Sequence, residues 1–183
     1  TLVRRLDNPT ATGSGLAVYW KVAGASEPPS HTWTFSCTAT CSTLGFQAAV
    51  GGILSFSGVD TTTPIDVENG VSTSTAAASL DTPSVITTVA NTMLVTSHAI
   101  PNNDTWQNPA PSGMMQAFQQ TTPSEMLQVS YAVQAAAGAT GTKTATDLGP
   151  DATAHGNTHI LALKPGGGCP VLAETMGPEP GET

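Results

Sequence analysis

Leu16, Val18, Trp20 and Val22 occupy alternate positions of one uninterrupted run, Leu16-Ala-Val-Tyr-Trp-Lys-Val22. Residues two apart share a face of an extended strand, whereas a helix brings together positions three and four apart. Runs of this period recur along the chain, each stopped by Gly, Pro, Asn or Asp. Such punctuation ends a strand before it can lengthen, and many short strands with little helix imply sheets packed on sheets.

By this reading strands are expected at residues 2–3, 16–22, 31–35, 46–56, 84–89, 92–99, 114–119, 125–134, 140–146 and 158–163. Trp33 and Phe35 would share one side of the third. The more continuous apolar character of 46–56 suits a central strand covered on both faces, with Gly51-Gly52 marking a bulge or a close backbone approach. Turns are expected at 60–64, at Asn69-Gly70, at 101–104 and at 108–113. Residues 126–137 offer the one helical alternative, but Gly138 and the Thr-rich sequence beyond it favour a strand.

Composition strengthens the all-β reading. Thr is the commonest residue, and charged residues make up only 10% of the chain against roughly 25% in an ordinary domain. The long helix-forming side chains are scarce, and the branched Cβ of Thr fits a pleated surface. The expected fold is therefore an antiparallel β-sandwich, jelly-roll or immunoglobulin-like, of about nine or ten short strands over residues 1–165. Residues 166–183 are rich in Gly, Pro and Glu without periodicity, and read as an extended C-terminal arm or linker.

A net charge of −8 with five Lys and Arg leaves no basic patch to replace phosphate counterions, so nucleic acid is an unsuitable partner. No run reaches the roughly 18 apolar residues that span a bilayer, so membrane insertion is not expected. The sequence opens directly on Thr1-Leu-Val-Arg-Arg5, which reads as a processed product or a piece of a longer chain. Cys37 and Cys41 lie four apart in a Thr/Ser-rich stretch and are the readiest pair for a disulfide, which places the protein in an oxidising compartment. Cys169 then stays free or joins another chain.

Candidate chemistry is sparse. His155 and His159 share a strand face but stand about 13 Å apart along it, so metal binding would need a turn at Gly156-Asn157; loop or strand-edge histidines are the simpler account. His31 and His98 are expected at the solvent face. Asp60, Asp66 and Glu68, beside Thr61-Thr-Thr63, are weak Ca²⁺ candidates, since hard cations take oxygens from loops. No other cofactor is indicated. Nucleophile elbows and paired catalytic carboxylates are missing from the sequence, so no catalytic residue is nominated. Trp20 and Trp33 fall in phase with apolar positions and read as core. Trp106, in the polar stretch Asn102-Asn-Asp-Thr-Trp-Gln-Asn108, either stacks a sugar with Asn103 and Asn108 beside it or closes one end of the sandwich.

Several stretches resemble a recurrent module of bacterial exported surface proteins and phage tail or virion proteins. They are Thr1-Leu-Val-Arg4, Ala17-Val-Tyr-Trp-Lys21, residues 22–28, Thr32-Trp-Thr-Phe35, residues 51–60, Pro64-Ile-Asp66, residues 134–140 and the closing Ile160-Leu-Ala-Leu-Lys-Pro165. The resemblance implies an immunoglobulin-like or jelly-roll sandwich without a catalytic centre, extracellular, on a cell surface or in a virion. The module normally begins with a strand and a Gly-Trp pair ahead of the position of Thr1, and both are missing from this sequence. An uncovered edge of that kind invites a strand from a neighbour. The expectation is a non-enzymatic structural or assembly protein of a virion, phage tail or extracellular filament, partnered by identical or similar subunits. The alternative is a carbohydrate-binding or adhesive module that takes glycans at Trp106.

Overall fold

The computed structural model describes residues 1–9, 14–34, 48–102, 106, 110–148, 154–167 and 171–174. These form thirteen strands and no helix. Five of them make an antiparallel sheet in the order β4–β12–β7–β9–β8, comprising Ile65–Ala77, Ala154–Leu163, Thr92–Ile100, Met126–Gln134 and Met115–Thr121. The remaining strands form two-stranded ribbons: β1 (Leu2–Asp7) with β2 (Gly15–Tyr19), β3 (Ser55–Ser57) with β13 (Leu172–Glu174), β5 (Ser79–Asp81) with β11 (Thr144–Thr146), and β6 (Ile86–Thr87) with β10 (Gly138–Ala139). The fold is all-β and sandwich-like.

Register assigns each side chain to a face of the central sheet, because residues directly opposite one another project to the same side. Val95, Leu161 and Tyr131 form one such row, and Leu94, Ala162 and Ala132 form a row on the other face. The first face packs under Leu6, Leu16 and Val18 of the β1–β2 ribbon, Leu54 and Phe56 around β3, and Val171 beside β13. The second face holds two clusters, Leu94 and Ala162 with Ala110 and Met114, and Ile100 and Met126 with Leu80, Trp106 and Ala145. All nine residues of β7 are buried, as expected of a central strand covered on both sides.

Close backbone approach explains three glycines. A Cβ on Gly70 would lie 2.9 Å from side-chain carbons of both Arg4 and Leu6, so its absence lets the β1–β2 ribbon settle on β4. At Gly52 a Cβ would run into the Phe118 ring, and at Gly156 into the carbonyl oxygen of Ala99. The close approach expected of Gly51-Gly52 is therefore found at Gly52.

Several expectations are corrected. Asn69-Gly70 is no turn but the middle of β4, which at 13 residues is the longest strand. Residues 31–34 form no strand, and Trp33 is 58% exposed rather than core. Residues 48–54 are irregular, so only β3 survives of the long central strand expected there. His98 is fully buried rather than at the solvent face. Of residues 166–183, read as an arm or linker, the described ones include a buried Val171 and β13, which pairs with β3. In each case tertiary packing outweighs a local pattern that is itself ambiguous.

Candidate functional site

The β1–β2 ribbon is the most exposed ordered element, and its two faces differ sharply. Leu6, Leu16 and Val18 pack inward, while Gly15, Ala17 and Tyr19 alternate with them and point outward. A bulge between Leu2 and Arg4 turns Leu2 to the outer face opposite Tyr19, and keeps Arg4 opposite Val18 on the inner one. Arg4 there donates from Nε and Nη2 to the two oxygens of Glu68, at 2.7 and 2.8 Å. His159 donates from Nε2 to the same carboxylate at 2.9 Å. The Arg4 bonds hold the Glu68 carboxyl below the usual range, and burial pushes His159 down. Glu68 thus fastens the ribbon to the central sheet.

Outside the ribbon, residues 20–34 run without regular structure. Glu27 organises them, accepting from Lys21 Nζ at 2.7 Å and from the Gly24 N–H at 2.6 Å, with His31 Nε2 at 3.6 Å. The segment brings Trp33 against Tyr19, their ring centroids 5.6 Å apart and planes inclined at 42°.

A second feature is a half-open cleft of about 410 Å³ between Ala110–Ser112 and the 142–146 segment. Among the described residues its lining carries one cation, Lys143, and the hydroxyls of Ser112, Thr142, Thr144 and Thr146, with no carboxylate or imidazole. Behind it, His98 donates from Nε2 to the Lys143 carbonyl at 3.0 Å, and burial pushes its imidazole down to about 4. Trp106 stands edge-on to His98 with centroids 6.0 Å apart.

Trp106 is fully buried in the second-face core. An indole with no accessible face offers a sugar nothing to stack on. Asn103 and Asn108 lie outside the described residues, as do Cys37, Cys41 and Cys169. The weak Ca²⁺ candidates are dispersed among separate tasks. Asp60 accepts from the Thr62 and Thr63 N–H groups in its own turn, Asp66 binds the Thr88 N–H and hydroxyl, and Glu68 holds Arg4 and His159. Among the described residues no group of three or more His, Cys, Asp or Glu side chains is placed to hold a metal ion. His155 and His159 lie together on β12 with no turn between them, and β12 is an interior strand, not an edge.

Sequence reasoning missed the exposed Tyr19–Trp33 pair. The phase of Trp33 in an alternating run looked like core, whereas the Pro28-Pro29 step just ahead of it was the available signal against a sheet strand. Comparison with known proteins finds no match to this chain among family models, curated proteins or solved structures.

Proposed function

We propose that this chain is a non-enzymatic structural subunit of a virion, phage tail or extracellular filament that joins identical or similar chains by strand addition. The observation that carries the reading is the outer edge of β8. Among the described residues no strand pairs with it, and Met115-Gln-Ala-Phe-Gln-Gln-Thr121 contains neither a charge nor a proline. Charges and prolines are what usually protect an exposed edge; here a bulge between Gln116 and Phe118 is the sole irregularity along it. An unprotected edge of seven residues offers a neighbour a row of backbone donors and acceptors. The opposite edge strand, β4, is partly guarded by Asp66, Glu68 and Arg4. Pairing of β8 with β8 closes a two-fold dimer, whereas pairing of β8 with β4 propagates into a filament. The low charge and the resemblance of residues 2–165 to exported and virion modules point the same way.

Light scattering across a concentration series, in reductant to exclude thiol cross-links, tests this. The expected mass is a multiple of 18.5 kDa that rises with concentration. The double variant Met115→Lys/Thr121→Lys, at two exposed positions, should return it to a single chain. A native chain that stays monomeric at every concentration refutes the reading.

A further inference from the structure

We propose that the outer face of the β1–β2 ribbon, together with Trp33, is a binding site for a neutral oligosaccharide. This surface is distinct from the β8 edge, and the inference does not depend on assembly.

The geometry begins with the two aromatic rings. Tyr19 is 51% exposed and Trp33 58%, and they are inclined at 42° rather than stacked flat, so the pair forms an open wall. Aromatic faces left to water, clustered and not scattered singly, are the kind of surface that marks a contact site. The rings are also held in place: Glu27 ties Lys21, the Gly24 backbone and His31 into one network just before Trp33. A platform ordered in advance loses less entropy when a ligand arrives.

Along the ribbon from Tyr19 the outer face carries Ala17 and then Gly15, paired with Arg5 and Asp7. Small side chains make a flat floor, and Tyr19 to Gly15 spans about 13 Å, the length of a short oligosaccharide. At the far end Arg5 Nε donates to both Asp7 oxygens at 3.0 Å. A guanidinium beside a carboxylate presents donors and acceptors together, as vicinal hydroxyls require. A sugar ring has an apolar C–H face for the aromatic wall and a hydroxyl rim for this pair.

Charge selects the ligand class. Arg5 is neutralised by Asp7 and Lys21 by Glu27, so the strip has no net field to recruit a nucleic acid or a charged peptide.

The test is retention of the full chain on immobilised neutral oligosaccharides, a panel of β-linked glucose, α-linked glucose, mannose and N-acetylglucosamine hexamers. Binding to at least one is expected. Trp33→Ala and Tyr19→Ala should each weaken it on the order of tenfold or more, and Arg5→Ala should weaken it less. Circular dichroism and the mass in solution should be unchanged, because all three side chains are exposed. Retention by no member of the panel overturns the proposal, as does retention that Trp33→Ala leaves intact. Loss of assembly in Trp33→Ala without any glycan effect overturns it too, and identifies the patch as an interface between copies.

Discussion

At the scale of single residues, the core of this protein is unusually polar, and His98 shows the consequence. Its Nε2–H is satisfied by the Lys143 carbonyl, but Nδ1 is buried without a hydrogen bond, so a proton there would sit unpaired among Trp106 and its neighbours. Burial therefore pushes the folded imidazole down to about 4, against about 6.5 in the unfolded chain. Between those values the unfolded state binds the proton and the folded state does not, so the stability that His98 contributes is complete above about pH 6.5 and is lost as pH drops toward 4. His159, also lowered by burial, acts with the same sign. Glu125, whose carboxyl burial pushes up to about 7, acts with the opposite sign over the same range, so the His98 contribution, a change of about 2 kcal/mol between pH 7 and pH 4.5, is read as the difference between the native chain and a His98 variant. His98→Gln should lose less stability than the native chain between pH 7 and pH 4.5, and an identical pH dependence of the two would show that His98 is readily protonated in the folded state.

At the scale of elements, the β1–β2 ribbon depends on a few polar fastenings. Glu68 grips Arg4 from beneath, and Asn8 Nδ2 donates to the Thr73 carbonyl at 2.9 Å. Asn157 Nδ2 reaches from β12 to the Ser14 carbonyl at 2.7 Å. Arg4→Ala removes the larger partner of a half-exposed ion pair, a loss of about 1 kcal/mol. Amide exchange across Leu2–Asp7 and Gly15–Tyr19 should then accelerate about fivefold, with β7 and β12 unchanged. Acceleration spread evenly over the central sheet would mean that the ribbon opens only with the whole protein. Gly70 belongs to the same joint, and its role explains why β4 was hard to read. Asn-Gly is a strong hairpin signal, yet here it lies within a strand, with the Arg4 and Leu6 side chains packed over Gly70.

At the scale of the whole molecule, the central sheet joins distant segments. β12 lies between β4 and β7, pairing His159 with both Gly70 and Ser97, so the sheet cannot close until residues 65–163 have been gathered. Loop closure on that scale precedes the contacts that reward it, and refolding should take milliseconds to seconds. Stopped-flow tryptophan fluorescence, which reports the enclosure of Trp106, measures this. Microsecond recovery would show that local ribbons, not the long-range sheet, set the rate.

Alternation by itself determined the class and most of the central sheet. β7, β8, β9 and β12 were legible because apolar residues on at least one face recur every second position, a local property that any strand buried on that face must have. The ribbons were legible only in part, and the exposure of Trp33 was not legible at all. Whether an apolar residue in phase meets a partner depends on which segment arrives above it, and that is settled by pairings far apart in sequence. The candidate surface follows the same division. The identities of Tyr19, Trp33, Arg5 and Asp7 are written in the chain, but only the β1–β2 pairing and the Tyr19–Trp33 contact bring them to one exposed surface.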